Sequence, residues 1–269
     1  MISQHAFKQF SGLMYDVAGI SFGDNKKHLV NGRLARRVRD CGLSSFEDYY
    51  QHVTKDENIE EFHRMLDLLT THETYFFREP KHFEYLANQV LSKMGNIQGK
   101  MKPIRVWSAA SSTGEEAYTL AMVLMEAFGD QVPWEIVATD ISRDVLNRAH
   151  HGVYRTERLE GIPKSYMRRY FLRGTGSRVG TVRVAPELRQ RVQFKEANLK
   201  LHLSSLGDFD VAFLRNVLIY FDMKTKQDVV KRVVQQIKKG GRLFIGHSES
   251  LNGISTPMRQ EVPTIYKKY

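Results

Sequence analysis

The sequence predicts an α/β fold in which a small N-terminal helical domain precedes a Rossmann-like, doubly wound sheet domain with a small antiparallel β insertion. Residues 1–90, which we assign to the helical domain and a linker, show only helical apolar periodicity. From about Met101, β-branched and aromatic runs alternate with helical segments, which indicates a mostly parallel sheet over residues 91–269. Residues 151–194 interrupt that alternation with two short strand-like runs around a glycine-rich turn.

Five helices are predicted in the N-terminal part from apolar spacing and from start and stop residues. The first begins at Ser3, the second covers about 26–41, and the third runs from Ser44 or Ser45 to about Val53. The fourth covers about 56–69, and the fifth begins at Glu79-Pro80. Serine is a common N-cap, and proline fits the first turn of a helix. Gly42 follows the second helix as a natural left-handed stop.

The second part is predicted to contain five strands of the main sheet and three long helices. The strands lie at about 104–108, 134–139, 209–214, 242–246 and 264–268. The helices lie at about 114–128, 142–150 and 222–239, the last of them ended by Gly240-Gly241. The insertion is predicted as a hairpin of 170–173 and 181–184. Helices that connect parallel strands are the reason for the doubly wound prediction.

The composition is that of a globular protein with an excess of positive charge. Of 269 residues, 42% are hydrophobic, which excludes disorder of the whole chain. The net charge of +10 favours an acidic partner: nucleic acid, anionic membrane or acidic protein. The single Cys41 excludes an intramolecular disulfide, a cysteine-rich zinc site and an iron–sulfur cluster. With no long apolar run and no secretion signal at its start, we expect a cytoplasmic protein without membrane insertion.

The loop after the first strand has a composition that suits a ligand with an amino group. Its residues 108–114 are small, which lets the backbone approach a ligand, but they do not form the glycine pattern of a dinucleotide site. Glu115 and Glu116 at the following helix start would repel phosphate and attract an amine. Their alternative role is to stabilise the helix N-terminus through its dipole.

Asp140 ends the second strand, where an acid of a Rossmann-like unit typically binds ribose hydroxyls. Its alternative role is that of a helix N-cap. A nucleoside pocket with acids near an amino group indicates S-adenosylmethionine.

Five blocks of the sequence together resemble the CheR family, the chemotaxis receptor methyltransferases. They are Thr71–Glu79, Arg105–Tyr118, Ala138–Ile141, Arg215–Asp222 and Gly246–Ser250. Their order and spacing match nearly the whole chain. The resemblance implies a class I methyltransferase domain that transfers a methyl group from S-adenosylmethionine to glutamate side chains of chemoreceptors, with S-adenosylhomocysteine as product and no metal.

The resemblance also implies roles for individual residues. The cofactor-binding set comprises His72, Thr74, Arg78, Glu115, Asp140, Asn198, Leu199, Asn216 and Val217. Glu115 would hold the methionine amino group, with Glu116 as the alternative, and Asn198 and Leu199 would flank the adenine. His72 stands where the family commonly has Asn, and imidazole can still donate or accept a hydrogen bond.

The chemistry requires few catalytic groups. A glutamate has an ordinary pKa of about 4.3, so it is ionised at neutral pH and needs no general base. Alignment of the reacting groups should supply most of the rate. We expect the catalytic residues to be Arg78, which recruits the carboxylate, and Tyr220, which orients it.

Two regions are predicted to contact the receptor. The helix at 26–41 carries the basic residues Arg33, Arg36 and Arg37, which either form a solvated face or dock onto acidic receptor methylation helices. The insertion hairpin resembles that of family members which capture a receptor C-terminal peptide by adding a strand. Binding to receptors would bring a cytoplasmic protein to membrane-bound receptor arrays.

Two other functions stay open at the level of sequence. A nucleic-acid methyltransferase would suit the net charge, but the loop at 215–220 lacks the prolines of amino-group base methylases. Pyrimidine C5 methylation needs a cysteine nucleophile, and the single Cys41 lies in the helical part. Ribose methylation is not excluded by these tests, and neither is an inactive module that only binds cofactor or receptor.

Overall fold

The computed structural model describes residues 1–94 and 102–269, and Met101, where the sequence changes character, lies outside the described residues. The predicted architecture is confirmed: a helical domain precedes a mixed sheet domain that carries a small antiparallel sheet.

Four helices build the N-terminal domain. They are α1 (Gln4–Ala18), α2 (Lys27–Asp40), α3 (Phe46–Val53) and α4 (Ile59–Leu69). Ser3 caps α1 and Ser45 caps α3, each by accepting a hydrogen bond from a backbone amide three residues further on. The helices bury their apolar stripes in one core, whose fully buried members include Phe7, Phe10 and Tyr49.

The next helical segment packs on the sheet domain. Helix α5 (Pro80–Tyr85) continues through a π-helical stretch, Leu86–Leu91, into the short α6 (Ser92–Met94). Phe76 and Phe83 belong to the apolar core beneath the sheet rather than to the N-terminal core. The chain therefore changes core within the stretch that follows α4.

The remaining elements alternate along the chain. The strands are β1 (Ile104–Ala109), β2 (Trp134–Asp140), β3 (Val153–Arg155), β4 (Phe171–Arg173), β5 (Thr181–Val184), β6 (Val192–Glu196), β7 (Phe209–Leu214), β8 (Ile237–Ile245), β9 (Met258–Val262) and β10 (Ile265–Lys268). The helices are α7 (Glu115–Phe128), α8 (Arg143–His151), α9 (Lys164–Tyr170), α10 (Pro186–Arg189) and α11 (Met223–Gln235).

The main sheet has the strand order β6-β2-β1-β7-β8-β10-β9. The first five strands in this order run parallel, β10 pairs antiparallel with β8, and β9 pairs antiparallel with β10. Strand β1 lies between β2 and β7, so the connections leave it in opposite directions. That is the switch point at which open sheets of this type bind ligands.

The insertion is a three-stranded antiparallel sheet in the order β3-β5-β4. The predicted hairpin of β4 and β5 is present, and β3, which the sequence analysis did not predict, pairs with the other side of β5. The edge strands β6 and β9 of the main sheet were also missed. All three missed strands are short, and β3 and β6 pair with strands that are remote in sequence, so local pattern gives little signal.

The predicted end of the last helix is wrong. Helix α11 stops at Gln235, and strand β8 runs through Gly240-Gly241. Gly240 has a φ of 80°, and a Cβ on Gly241 would lie 2.8 Å from the Asp210 carbonyl oxygen. The glycines therefore allow an irregular register and close approach to β7 within the strand, and they do not cap the helix.

The helical domain contacts the sheet domain at the end of α1. The Lys200 ammonium donates to backbone carbonyls of the last turn of α1, and Asn198 Nδ2 donates to the Val17 carbonyl at 2.7 Å. Ile20 forms an isolated antiparallel bridge with Phe221. These contacts bring the segment after α1 to the carboxyl edge of the sheet.

Candidate active site

A cavity of about 220 Å³ opens at the carboxyl ends of β1, β2 and β7. The loops after those strands form its floor, and the segment between α4 and α5 forms one wall. Ala18 and Ile20 of the N-terminal domain complete the lining. The cavity therefore lies at the sheet's switch point and between the two domains.

The loop after β1 is tightly folded against β2. Ala110 and Ser112 adopt left-handed φ values of 58° and 49°. The Ser111 amide donates to the Thr139 carbonyl at 2.8 Å, and the Ser112 amide donates to Asp140 Oδ2 at 2.9 Å. Ser111 Oγ lines the cavity, is buried and has no hydrogen-bond partner within the described residues. A ligand in the cavity could satisfy that hydroxyl.

Asp140 is the buried acid at the end of β2. Its Oδ1 accepts from the Ser142 amide at 3.0 Å, while Oδ2 accepts from the loop after β1. Burial raises the pKa of Asp140, and the backbone amide hydrogen bonds oppose that rise. Each oxygen keeps a lone pair for a further donor, so the carboxylate is held in place and can still accept from a ligand hydroxyl.

Glu116 faces the same cavity from the first turn of α7. Its Oε1 accepts from Ser108 Oγ at 2.6 Å, and its Oε2 lies 3.0 Å from Arg215 Nη1. Burial raises the pKa of Glu116, and Arg215 and Ser108 oppose the rise. Its side chain is 14% exposed and lines the cavity that a ligand cation would enter.

Glu115, the residue that the resemblance assigns to the methionine amino group, does not line the cavity. Its side chain is fully buried and points to the opposite side of α7, where it accepts from Thr113 Oγ1 and from Arg158 Nη1. Burial raises the pKa of Glu115, and these hydrogen bonds oppose the rise. Successive helical residues differ in direction by about 100°, so only one of the two acids reaches the cavity.

The segment after α4 brings the predicted residues His72, Thr74 and Arg78 to the cavity wall. The His72 imidazole Nε2 contacts Thr70 Oγ1 at 2.7 Å, and the His72 backbone carbonyl accepts a hydrogen bond from Ser112 Oγ. Arg78 Nη1 donates to the Glu73 carbonyl at 2.9 Å, and its guanidinium carbon lies 5.7 Å from the centre of the Tyr75 ring. The Arg78 side chain is therefore positioned by its own segment beside the cavity.

The loop after β7 supplies Asn216, Val217 and Tyr220, all of which line the cavity. Asn216 has a left-handed φ of 57°, and its amide donates to Glu249 Oε2 at 2.9 Å. Glu249 is buried and also accepts from the Gly246 amide at 2.7 Å. This carboxylate therefore fixes the loop that carries Tyr220, whose ring is half-buried at the cavity.

Asn198 and Leu199 line the cavity after β6. The Asn198 side chain is engaged at both ends, because Nδ2 donates to the Val17 carbonyl and Oδ1 accepts from the Lys200 amide at 2.9 Å. Leu199 is buried and offers an apolar surface. Asn198 thus holds the domain contact and shapes the cavity at the same time.

The three basic residues predicted to dock onto a receptor have different surroundings. Arg33 donates to the carbonyls of Leu69 and Thr70 at 3.0 and 2.8 Å. Arg37 forms a two-point ion pair with Glu61, in which Nη2 lies 2.6 Å from Oε2. Only Arg36 extends into solvent, with 84% of its side chain exposed. The structure therefore does not present the three residues as one docking face: Arg33 and Arg37 hold the N-terminal domain together.

Sequence analysis missed a buried cation at the centre of the site. Arg215 lies between Glu116 and Glu79, 3.0 Å from each, with its side chain 1% exposed. It also donates to the Arg78 backbone carbonyl. The signal that could have found it is its place directly after β7, at the edge where ligands bind.

Comparisons with known proteins give matches to both parts of the chain. The CheR methyltransferase, all-alpha domain, matches residues 5–70, and the CheR methyltransferase, SAM binding domain, matches residues 72–266. The chain is 39% identical over 267 residues to the chemotaxis protein methyltransferase of Escherichia coli (strain K12), covering 98% of this chain and 91% of that one. It is 41% identical over 262 residues to chemotaxis protein methyltransferase 2 of Pseudomonas aeruginosa, covering 97% and 91%.

The similarity extends to Borreliella burgdorferi. The chemotaxis protein methyltransferase of Borreliella burgdorferi is 34% identical over 275 residues, covering 99% of this chain and 95% of that one. Among the helices of residues 1–94 and 102–269, none is both long and apolar enough to cross a membrane.

Proposed function

The chain belongs to the CheR family of methyltransferases, and from that premise we propose how its cavity joins cofactor and substrate. It is an S-adenosylmethionine-dependent protein-glutamate O-methyltransferase of chemotaxis, and its substrates are chemoreceptors. Methylation of receptor glutamates adjusts receptor signalling during adaptation.

The observation that carries the proposal is the meeting of Asp140, Glu116 and Ser111 in one cavity at the sheet's edge. A buried carboxylate at the end of β2 suits ribose hydroxyls. A second, partly open carboxylate suits an ammonium group, and the unpartnered Ser111 hydroxyl needs a polar neighbour. The donor and acceptor set therefore fits a nucleoside that carries an amino acid.

We assign the cofactor contacts on this basis. Asp140 binds the ribose, Glu116 rather than Glu115 binds the methionine amino group, and Leu199 packs beside the adenine. Asn198, Asn216 and Val217 shape the wall, and His72 and Thr74 close it from the segment after α4. S-adenosylmethionine, when bound, supplies an electrophilic methyl group on a positively charged sulfur.

Arg78 and Tyr220 are the proposed reaction-centre residues. Both line the cavity, and both belong to segments held by backbone hydrogen bonds, so their side chains can align an incoming carboxylate. A single contact from Arg78 would attract the carboxylate and leave the attacking oxygen free. The glutamate is already ionised, so neither residue has to remove a proton.

The apolar part of the lining favours the reaction. Phe83, Ile20 and Phe221 contribute to the cavity surface. An anion that reacts with a cation loses charge on the way to the transition state, and a site of low polarity stabilises that change relative to water. Burying the carboxylate costs free energy first, and Arg78 offsets part of that cost.

We propose that receptor methylation helices approach the cavity mouth beside α2, with Arg36 as the docking residue. Arg36 is the exposed member of the three predicted cations, and acidic helices would complement the net charge of +10. Arg33 and Arg37 act within the domain instead.

We further propose that a receptor C-terminal peptide adds a strand to the small sheet. Both β3 and β4 are edge strands there, and their side chains Val153 and Leu172 are 42% and 54% exposed. Extended peptides bind such edges through backbone hydrogen bonds. Together with Arg36, this contact would recruit the protein from the cytoplasm to receptor arrays.

The test is methyl transfer from labelled S-adenosylmethionine to receptor cytoplasmic fragments, with RNA as the alternative acceptor and mass spectrometry to locate the label. We expect label on receptor glutamates and a base-labile ester. Label on RNA would contradict the proposal, and no label on either acceptor, with cofactor bound, would indicate a binding module. Titration with receptor tail peptides tests the added strand, which no binding to any peptide would refute.

A further inference from the structure

A second polar cluster lies behind the cavity wall, where Glu79, His82 and His247 meet. His82 Nδ1 lies 3.4 Å from Glu79 Oε2, and His247 Nε2 lies 3.8 Å from the same oxygen. One ligand-type atom from each of the three residues lies within 4.8 Å of the others. Two imidazoles and a carboxylate are a common ligand set for zinc.

The tautomer of His82 leaves a lone pair directed into this cluster. His82 Nε2 lies 2.7 Å from Thr264 Oγ1, and the Thr264 hydroxyl donates its only hydrogen to the Pro263 carbonyl at 2.6 Å. Since the Pro263 carbonyl accepts the Thr264 hydrogen, this arrangement favours the tautomer in which His82 Nε2 carries the hydrogen and donates it to Thr264. The other ring nitrogen, Nδ1, then carries a lone pair and faces a carboxylate oxygen.

Two acceptors that face each other suit a cation between them. Glu79 Oε2 also accepts from Arg215 Nη2 and from the His247 amide, so the cation would chiefly serve His82 Nδ1. His82 is 2% exposed, and its Nδ1 has no hydrogen-bond partner within the described residues. An unpartnered buried acceptor of this kind costs free energy that a bound ion would recover.

We infer that Glu79, His82 and His247 form a binding site for a divalent first-row transition metal ion of the zinc class. The His82 hydrogen bond to Thr264 is the outer contact that typically fixes the tautomer of a metal-binding imidazole. Glu79 and His82 are three residues apart in one helical turn, closed by the His82 amide and the Glu79 carbonyl at 3.0 Å. Half of the His247 side chain is exposed, which gives the ion a path from solvent.

The charge of the surroundings permits a cation. Arg215 lies next to Glu79 but is also paired with Glu116, so the three groups together carry one net negative charge when ionised. The remaining coordination positions would be filled by water, because three protein ligands leave the site open. Since Glu79 also contacts Arg215 and Asn216, an ion here would act on the wall of the methyl-transfer cavity without taking part in the reaction.

The inference is tested by titrating the tag-free, chelator-treated full chain with Co²⁺ while visible absorption is recorded. A second titration with Zn²⁺ measures affinity in competition with a chromophoric chelator. We expect one ion per chain. His247→Ala should weaken binding by at least about tenfold, since even outer contacts of metal ligands are worth about 10–100-fold. His202→Ala is the matched control at an exposed histidine and should change nothing.

His247 is the ligand whose substitution can be separated from an effect on folding. Its side chain is half exposed, so its removal should leave folding intact, which circular dichroism can verify. No Co²⁺ absorption in the unmodified chain would overturn the inference, as would equal affinities of the unmodified chain and His247→Ala. Both readouts report on the ion alone, so they are independent of methyl-transfer activity.

Discussion

The Arg215 guanidinium lies 3.0 Å from the Glu116 carboxylate at the base of the cavity, and the same side chain lies 3.0 Å from Glu79. A buried cation between two acids turns Glu116 toward the sheet's switch point. Glu115, one residue earlier, is tied to Arg158 on the other side of the helix. This pairing decides which acid of the helix start faces the cavity.

Replacing Glu116 by Gln should therefore weaken binding of S-adenosylhomocysteine, the stable product. Loss of a hydrogen bond to a charged group costs about 1.5–3 kcal/mol, which corresponds to about 10–150-fold in affinity. Isothermal titration calorimetry measures this change in affinity. Glu115→Gln is the matched control and should retain affinity within about threefold, or about 0.7 kcal/mol. The reverse order of the two effects would return the amine-binding role to Glu115.

Arg37→Met should destabilise the N-terminal domain, because it leaves Glu61 partly buried without its cation. The two side chains are only 22% and 12% exposed. Breaking a fully buried pair costs about 3–5 kcal/mol, so we expect a somewhat smaller loss of about 2–4 kcal/mol for this partly buried one. Arg36→Met, at an exposed position, should change the free energy of unfolding by less than about 0.5 kcal/mol. Urea unfolding compares them, and equal small effects would contradict the structural role of Arg37.

The same pair predicts a pH dependence. Burial raises the pKa of Glu61, but hydrogen bonds from Arg37 and Tyr49 outweigh it, so the folded pKa lies below 4.5. A lowered pKa contributes stability above the unfolded value, and this contribution is lost as pH falls through the folded value. The stability gap between the unmodified chain and Arg37→Met should thus shrink below about pH 4.5. Unfolding curves from pH 7 to 3 test it, and a constant gap would contradict the assignment.

Arg33→Ala should lower cofactor affinity even though Arg33 was predicted to dock a receptor. Arg33 holds the carbonyls of Leu69 and Thr70 and the hydroxyl of Thr71, at the start of the segment that lines the cavity. We expect affinity for S-adenosylhomocysteine to fall about three- to tenfold, or about 0.7–1.4 kcal/mol. If Arg33→Ala slows receptor methylation while cofactor affinity stays unchanged, the docking role is restored.

Arg36→Glu is the variant that tests docking itself. The substitution reverses an exposed charge, so cofactor binding and folding should persist. Receptor methylation should slow mainly through KM and more strongly at low salt, because surface charges act over about 10 Å at 0.1 M salt. Unchanged kinetics at every salt concentration would remove Arg36 from the receptor interface.

Arg78→Ala should reduce kcat while cofactor affinity changes much less. Among residues 1–94 and 102–269, the Arg78 guanidinium donates to the Glu73 carbonyl and lies over the Tyr75 ring, with no carboxylate partner, so it is available to a substrate carboxylate. We expect kcat to fall about 10–100-fold, or about 1.4–2.7 kcal/mol. Steady-state kinetics and calorimetry separate the two quantities, and an equal loss in both would make Arg78 a cofactor-holding residue.

The sequence by itself determined most of the elements and the family. Caps such as Ser3, the alternation of strands and helices after the helical domain, and five ordered blocks all depend on neighbouring residues, and the structure confirms the fold that they predict. The position of Asp140 at the ligand-binding edge could also be predicted from the sequence, because the strand ends meet at one edge of a parallel sheet.

Tertiary structure decided what each of two similar neighbours does. Glu115 and Glu116 have the same chemistry, and only the packing of α7 on the sheet, with Arg215 on one side and Arg158 on the other, selects the one that faces the cavity. The same holds for Arg36 and Arg37, which Glu61 from another helix distinguishes. A side chain's direction depends on partners that are distant in sequence, and local periodicity carries no information about them.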